Sequence, residues 1–400
     1  MQVGHEGRAI CREARMHGMY IDDAHRQVIE QTRAFTAEHF SEADIQQWVK
    51  DQGMPINVRT AFYSSEPGRM GLPVDLGGIP SDFLSQILIV EELHRASGAM
   101  LPFTSHFLSL RLLQTLGGSK HFDLVKRMLD TKGEIGFSEA ITEPAAGTDT
   151  HGIVTTTTQQ GDKVLLNGTK MFVSNGQFAP FIMAAAKEED ASRLNRSLTF
   201  WLFRRDLPGV DTYPIETIGQ RMNPQALITF ENVELGPENA IGERGDGFKA
   251  MKGVLDIGRL LICATSLGLA QAAMDDAVAH ASKRESFGTA LYEIPAIQDK
   301  LANMEVRLRS MRALVYDAAT LFDAGQDIKL AASLAKYMVP KAAVEVASDA
   351  MQVFGALGYT DLTRVGRIWN ECRGNQIAQG TDEIMPRIAA RAIVEEYGQE

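Results

Sequence analysis

The sequence predicts an α+β protein in which a helical segment is followed by a β-rich segment and then by a second helical segment. In residues 22–39, apolar side chains recur at helical spacing behind Asp22, which can cap a helix. Residues 154–158 are all β-branched, and residues 297–315 alternate apolar steps of four and three, as in the seam of a bundle helix. These patterns predict an N-terminal α-helical domain, a middle β domain and a C-terminal four-helix bundle.

The domain boundaries are predicted where the hydrophobic period changes. Residues 1–19 lack the apolar core of a secretory signal, and we predict a disordered leader there. The N-terminal helical domain is predicted at residues 20–133, the middle β domain at 134–246 and the helical bundle at 247–400.

Further elements follow from local signals in the N-terminal and middle domains. A second helix is predicted at residues 81–96, with helical sequence continuing to Leu116. Strands are predicted at residues 198–203 and 227–233. Asn167-Gly168 is predicted to be a two-residue hairpin turn, because both residue types tolerate positive φ.

Proline and glycine residues are predicted to interrupt or end helices in the C-terminal segment. Pro340 is expected to kink or interrupt its helix, because it lacks a backbone N–H. Gly355 and Gly358 are expected to end that helix, and residues 382–397 are predicted to form the last one.

Composition excludes several classes of function. A chain of 400 residues with 44% hydrophobic content can bury a large core, and a net charge of −11 argues against nucleic acid as the main partner. Cys11, Cys263 and Cys372 form no CxxC pair, so we expect neither disulfides nor a zinc site, and a reducing, cytoplasmic location. The nine histidines are scattered singly, so no metal is predicted. No apolar run approaches the roughly 20 residues that span a bilayer, so no membrane association is expected.

Two motifs in the β domain suit a flat aromatic ligand. Residues 141–149 (ITEPAAGTD) combine small residues and hydroxyls, which would let the backbone approach a ring, and Thr142 could form a hydrogen bond with it. In residues 167–175 (NGTKMFVSN), strand geometry would place Phe172 and Ser174 on one face, as suits the face and edge of a flavin. A polar surface loop and a plain hairpin with a core Phe remain the alternatives.

Three C-terminal motifs suit a phosphorylated ligand. Arg284 in residues 284–288 (RESFG), followed by Gln298, could pair with a diphosphate, or could be a solvated helix-end charge. The glycines of residues 352–359 (QVFGALGY) would let backbone N–H groups face phosphate, or simply stop a helix. Residues 379–384 (QGTDEI) form a turn that enters a helix. No GxGxxG motif follows a strand, and no P-loop, HExxH or GxSxG motif occurs.

These five motifs, in this order and spacing, resemble those of the acyl-CoA dehydrogenase family over residues 20–397. Residues 91–99 (EELHRASGA) also resemble the N-terminal helix of the short- and branched-chain members. The resemblance implies FAD between the β domain and the bundle, a homotetramer, and an acyl-CoA or enoyl-CoA substrate. It also implies an electron-transferring flavoprotein as partner.

The resemblance further implies roles for residues at matching positions. The positions around the flavin are Ile141, Thr142, Gly147, Thr148, Phe172 and Ser174. The positions that reach a neighbouring subunit's FAD, its diphosphate or its adenosine side are Arg284, Phe287, Gln298, Gln352, Gly355, Thr381 and Glu383. The substrate positions are Thr148, Asp256, Arg259 and Gly380. Two departures from the family pattern are Ala356, where a second glycine is usual, and Phe172, where Trp is commoner.

The main departure concerns proton transfer. The family removes the substrate α-proton with a glutamate while a hydride leaves the β-carbon. The resemblance places that glutamate at Gln379 or, in isovaleryl- and long-chain-type members, at Gly258, and neither is a carboxylate. A carboxamide cannot act as a base near neutral pH. The Gln379 backbone N–H, which in the family holds the thioester carbonyl, is retained. Glu91, Glu139 and His106 are alternative proton-transfer groups, and a structural role is the competing interpretation for each.

The resemblance supports α,β-dehydrogenation of acyl-CoA with a relocated base as the main expectation. The alternatives are an enoyl-CoA reductase similar to crotonobetainyl-CoA reductase, and a family-fold subunit that needs a catalytic partner. A flavin monooxygenase is less favoured, because residues 141–149 and Arg259 suit CoA thioesters. Acyl chain length depends on side chains near residues 101–108, whose directions the sequence does not fix.

Overall fold

The computed structural model describes residues 20–72, 74–105, 107–111, 113, 123, 126, 136–189 and 197–398, apart from the side chains of residues 250, 252 and 253. The predicted leader and the predicted boundary at residue 133 lie outside the described residues, so both stay predictions.

The N-terminal domain is helical, as predicted. Its first helix begins at the predicted cap, because the Asp22 side chain accepts a hydrogen bond from the His25 backbone N–H at 3.0 Å. Residues 103–105, 107–111 and 113 are also helical. The labelled helices are α1 (Asp23–His39), α2 (Glu42–Lys50), α3 (Ile56–Ser64), α4 (Glu66–Arg69) and α5 (Phe83–Ser97).

The middle domain contains one twisted sheet of eight strands within the described residues. The strands are β1 (Phe137–Ala140), β2 (Thr156–Gln160), β3 (Lys163–Ser174), β4 (Phe181–Glu188), β5 (Leu198–Arg204), β6 (Val210–Ile215), β7 (Gln225–Leu235) and β8 (Ala240–Ile241). Their order is β6-β7-β3-β2-β4-β5-β8, and β1 pairs with β4 in parallel. The strands predicted at residues 198–203 and 227–233 are β5 and β7.

The predicted hairpin turn at Asn167-Gly168 is wrong. β3 runs through both residues, and the turn between β2 and β3 lies at residues 161–162. Gly168 instead marks a register shift between β3 and β7, at φ 147°. A Cβ there would lie 2.4 Å from the Thr155 hydroxyl, so glycine is required by close strand approach.

The C-terminal domain is built from long helices. These are α6 (Gly247–Lys283), α7 (Pro295–Asp323), α8 (Lys329–Phe354), α9 (Val365–Asn375) and α10 (Met385–Tyr397). A short hairpin of β9 (Glu285–Ser286) and β10 (Thr289–Ala290) joins α6 to α7. The expected interruption at Pro340 does not occur, since α8 continues through it with Pro340 buried among other helices. The last helix begins at Met385 rather than at residue 382.

Two apolar clusters lie on opposite faces of the sheet. Along β4, Phe181 and Met183 face the helices, whereas Ile182 and Ala184 face the other side. The predicted seam of α7 is confirmed by its burial from Met304 to Val315. α6 is long and apolar enough to cross a membrane, but 88% of its most apolar stretch is buried, as in a core helix.

Glu371 of α9 joins all three domains. Its carboxyl oxygens accept hydrogen bonds from the Met100 backbone N–H at 2.8 Å and the Gln220 backbone N–H at 2.9 Å. Burial raises the pKa of Glu371 to about 7, although both N–H groups favour the charged form. This contact fixes the middle domain against the helices that flank the candidate site.

Candidate functional site

The 141–149 loop is fixed from beneath by a buried ion pair. Glu143 and Lys170 lie 2.7 Å apart with both side chains fully buried, and Lys170 also donates to the Ile141 carbonyl at 3.0 Å. Burial raises the pKa of Glu143, but Lys170 and other donors overcome this, so the net shift is downward. The Met171 N–H donates to the Thr142 carbonyl at 2.8 Å. These hydrogen bonds therefore fix the backbone of Thr142 against β3.

Phe172 lies on a bulge of β3 rather than in regular strand geometry. Its φ is 56°, and the pairing of β3 with β7 shifts between Lys170 and Val173. Phe172 is 54% exposed, although it is a large aromatic residue in a backbone conformation that such residues rarely adopt. Ser174 accepts a hydrogen bond from the Gln225 side chain at 3.1 Å. This bulge interrupts the regular alternation from which Phe172 and Ser174 were predicted to share a face, and the shared face stays a prediction.

The other positions matched in this loop are open to a ligand. Ile141 and Thr142 are half-buried, whereas Gly147 and Thr148 are exposed. Among the described residues, apart from Gly147 and its two chain neighbours, no heavy atom lies within 4 Å of the place where a Cβ on Gly147 would stand. Small exposed residues, two hydroxyls and an exposed ring are what close approach of a planar group requires, so these residues fit a flavin.

The two positions predicted for the catalytic glutamate touch each other. A Cβ on Gly258 of α6 would lie 2.8 Å from Gln379 Oε1 and 3.2 Å from Leu108 Cδ2. Gln379 sits at φ 56°, and its Oε1 is buried with no partner among the described residues. Gly380 follows at φ 102°, where a Cβ would meet Met385 Cε at 2.5 Å. The turn at Gln379-Gly380 is therefore held in a left-handed conformation against α6.

The matched substrate positions on α6 are mostly buried. Arg259 is 7% exposed and forms an ion pair with Asp256, while its Nε has no partner among the described residues. Burial raises the pKa of Asp256, and Arg259 partly offsets that rise. In the following turn Thr381 is half-buried, whereas the Glu383 carboxylate is exposed and has its pKa lowered by the Thr381 hydroxyl.

The remaining matched residues gather at a second place. His280, which precedes Arg284 by one helical turn, stacks on Phe354 at 4.2 Å between ring centroids. This contact brings the β9–β10 hairpin beside Gly355. Arg284, Gln298, Gln352 and Gly355 are all exposed, and Phe287 at the hairpin tip is 98% exposed. A cavity of about 500 Å³ beside them is lined by Ser348, Met351, Gln352, Gly355, Tyr359 and Trp369.

The Gln379-Gly380 turn and the residues around Gly355 meet α8 at different points along its length. Lys336, near the start of α8, donates to the Gly380 carbonyl, whereas Gln352 is near its end. These two positions are about 24 Å apart along the axis, since a helix rises about 1.5 Å per residue. We call the residues around Gln379 and the 141–149 loop the first cluster, and those around Arg284 and Gly355 the second cluster.

The alternative proton-transfer groups differ in their surroundings. Glu91 is buried against Arg312 and Tyr316, whose side chains donate at 2.8 and 2.6 Å, so its carboxylate is committed to joining two domains. Glu139 of β1 accepts from the Ser109 hydroxyl at 3.0 Å, and burial raises its pKa to about 7. Ser109 adjoins Leu108, which contacts the Gly258 position. His106 lies outside the described residues.

Comparison with known proteins decides the family. Models of the acyl-CoA dehydrogenase N-terminal, middle and C-terminal domains match residues 22–120, 138–233 and 245–394. The probable acyl-CoA dehydrogenase YdiO of Escherichia coli strain K12 is 31% identical over 366 residues, which are 92% of this chain and 94% of that protein. The chain belongs to the acyl-CoA dehydrogenase family.

Solved structures of acyl-CoA dehydrogenases share the whole fold. The acyl-CoA dehydrogenase of Slackia heliotrinireducens is 38% identical, with a TM-score of 0.83 over 95% of this chain and 98% of that one. Butyryl-CoA dehydrogenase of Megasphaera elsdenii is 26% identical, with a TM-score of 0.87 over 94% and 99%. The chain is thus a flavin-dependent dehydrogenase-type enzyme with the predicted three-part architecture.

Within this acyl-CoA dehydrogenase fold, three buried charged residues near the first cluster were missed by sequence reasoning. Glu143 and Lys170 lie inside predicted motifs, yet no role was assigned to them. Lys336 sits in the apolar helical run ASLAKYMV, where a lone charge at a core-facing position was the available signal.

Proposed function

We propose that the protein is an FAD-dependent enzyme that dehydrogenates the α,β-carbon pair of an acyl-CoA thioester and passes electrons to an electron-transferring flavoprotein. The observation that carries the proposal is the contact between Gln379 and Gly258 within the first cluster. In family members, the glutamate that removes the substrate α-proton stands at one or the other of these two positions. The flavin partner is proposed from the family resemblance.

The Gln379-Gly380 turn would bind the thioester carbonyl. Gln379 has a left-handed backbone conformation. In the family, the backbone N–H at this position donates a hydrogen bond to the thioester oxygen. A donor fixed before the reaction stabilises charge that develops on the oxygen when the α-proton leaves. FAD, when bound against Thr142, Phe172 and Ser174, would supply the acceptor for the β-hydride.

We propose that Glu139 exchanges the α-proton. Along β1, Phe137 packs in the cluster that faces the helices, and Ile141 packs against that same cluster, whereas Ala140 belongs to the opposite face. Alternation therefore places Glu139 on the side of Ile141 and the helices. Its pKa of about 7 suits a group that both accepts and returns a proton near neutral pH.

The same property of Glu139 favours a second candidate function. A carboxyl that is about half protonated near pH 7 can deliver a proton to the α-carbon as readily as remove one. The reverse reaction, reduction of an enoyl-CoA, is therefore the alternative, and the two directions share one site.

We also propose a homotetramer in which the second cluster holds the FAD of a neighbouring subunit. Lys336, which contacts the Gln379-Gly380 turn, and Gln352 of the second cluster are about 24 Å apart along α8 by helix rise. This separation suits two different FAD molecules better than one. Phe287, almost fully exposed at the tip of a two-residue turn, fits a role in contact with another subunit.

The deciding experiment is anaerobic mixing of the purified protein with a panel of saturated acyl-CoAs and enoyl-CoAs. The expected result is a yellow protein with about one FAD per chain whose flavin absorbance bleaches with at least one saturated thioester. After chemical reduction, recovery of colour with an enoyl-CoA would show the reverse direction. A protein that stays colourless with added FAD would refute both directions and would favour a family-fold subunit with a catalytic partner.

A further inference from the structure

Lys336 is a fully buried cation directly beneath the Gln379-Gly380 turn. Its side chain has no solvent exposure, and its Nζ donates to the Gly380 carbonyl at 2.9 Å and, weakly, to the Gln376 carbonyl at 3.5 Å. Within the part of the chain that the structure describes, no carboxylate forms an ion pair with it. Burying an ammonium group without a counter-charge costs free energy. A lysine at this position therefore needs a reason beyond packing.

Among the described residues, the charged groups near Lys336 act on it without forming an ion pair with it. Burial lowers the pKa of Lys336, while Asp382 and Glu383 in the adjoining turn favour its charged form. The neighbouring Cys263 thiol is neutral at physiological pH, because burial raises its pKa to about 12. Arg259 is a second buried cation nearby, and Asp256 is its ion-pair partner.

Because Gln379 is neutral, the carboxylates of this turn are those of Asp382 and Glu383. A glutamate at position 379 would place a negative charge in the turn that Lys336 supports, and the two charges would offset each other. With glutamine there, the field of Lys336 is available to a negative charge on a ligand. The thioester carbonyl acquires such a charge when the C–H bond at the α-carbon breaks and its electron pair moves onto the oxygen.

We propose that Lys336 is a positioning residue that fixes the Gln379-Gly380 turn and makes this site selective for the enolate form of the bound acyl group. The inference rests on the proposed function, since it takes the Gln379 N–H as the carbonyl donor. Lys336 acts through the Gly380 peptide and through its charge, and it does not exchange the proton itself.

The test uses two probes that differ in the carbonyl group. Acetoacetyl-CoA ionises to an enolate by releasing an α-proton to solvent, whereas S-butyl-CoA, a thioether, has no carbonyl. Binding of both probes to the FAD-loaded enzyme is measured as a function of pH, together with enolate absorbance. Wild type, Lys336→Met and Lys336→Arg are compared. Lys341→Met is the control, because Lys341 is exposed on the same helix.

Wild type is expected to bind acetoacetyl-CoA as the enolate at a pH below that at which the free thioester ionises. Lys336→Met is expected to weaken enolate binding by about 10- to 100-fold, the loss typical of a charge-assisted contact. It should also raise the apparent pKa of the bound probe and leave S-butyl-CoA binding within about twofold. Lys336→Arg should restore part of the pKa shift, and Lys341→Met should match wild type.

Equal weakening of both probes would show that Lys336 only supports the structure, and unchanged enolate binding would also overturn the inference. If Lys336→Met does not fold, Gln379→Glu decides: a carboxylate there should raise the apparent pKa of bound acetoacetyl-CoA, and no rise would overturn the inference. If neither probe binds to wild type or perturbs its flavin, the proposed function itself fails.

Discussion

Gln379 has the shape of the glutamate that it replaces but cannot take up a proton. Its Oε1 lies where a Cβ on Gly258 would crowd it, so the two positions share one space and only one can carry a side chain of this size. The glycine at position 258 is thus matched to the large side chain at position 379. Under the proposed function, carbonyl binding stays at this turn whereas proton transfer moves to Glu139.

We predict that Gln379→Glu increases dehydrogenation of a simple saturated acyl-CoA. A carboxylate would stand where the family has its base, and a positioned general base is worth about 10²- to 10⁴-fold in rate. Single-turnover flavin bleaching measures the effect. Gln326→Glu, the same substitution at an exposed position, is the matched control. A slower reaction in Gln379→Glu would mean that the native base already acts efficiently and that glutamine has its own role.

The proposed role of Glu139 predicts how the rate of flavin bleaching depends on pH. If Glu139 accepts the α-proton, the bleaching rate of wild type should rise as pH passes upward through about 7, where its carboxyl ionises. Glu139→Gln should reduce the rate by about 10²- to 10⁴-fold and flatten this profile. Ser109→Ala should move the rise to higher pH, because the Ser109 hydroxyl favours the ionised form. A steep rise retained in Glu139→Gln would exclude Glu139.

At the scale of elements, local sequence signals predicted most helices and strands but not the backbone irregularities that form the site. The cap at Asp22, the seam of α7 and the strands β5 and β7 follow from short-range periodicity. The β3 bulges do not, because they depend on the approach of Thr155 and on pairing with β7, which are remote in sequence. Asn-Gly favours positive φ, a property that serves a bulge as well as a turn.

Arg284, which directly precedes the β9–β10 hairpin, is predicted to contribute to retention of FAD. Arg284→Ala should weaken FAD retention by about 10- to 100-fold, because a diphosphate would lose a charge-assisted hydrogen bond. Lys283→Ala is the control, since Lys283 is the adjacent exposed cation on the same segment. The flavin-to-protein ratio after gel filtration measures retention, and the elution volume reports assembly. Equal flavin content in both variants would remove Arg284 from the FAD site.

At the scale of the whole molecule, buried polar contacts between residues remote in sequence could not be predicted from the sequence. Lys336 reaches a carbonyl 44 residues away, and Glu371 reaches Met100, 271 residues away. A single charged residue in a helix is ordinarily assigned to a solvated face, whereas the assembled fold places these two inside. The matched site residues were placed by family resemblance, which carries this long-range information.

Glu371 links the stability of the whole molecule to pH. Its pKa is about 7 in the folded protein against 4.5 for an ordinary glutamate, so between these values the folded state binds more protons than the unfolded state. The free energy of unfolding contributed by Glu371 therefore falls as pH rises through this window. The pKa of Glu139 is also raised, so the pH dependence of wild-type stability contains both contributions. The difference between wild type and a Glu371 variant isolates the contribution of Glu371.

We predict that Glu371→Gln lowers the free energy of unfolding by about 1–3 kcal/mol, because the amide NH₂ would face a backbone N–H that has lost its acceptor. The difference from wild type should be largest near pH 5 and should shrink as pH approaches 8, since only wild type loses the Glu371 contribution. Denaturant unfolding at several pH values measures it. Glu345→Gln, at a partly exposed ion pair with Arg307, is the control and should show a small effect without this trend. A difference that grows with pH would mean that Glu371 is ionised across the window and that its two backbone donors outweigh burial.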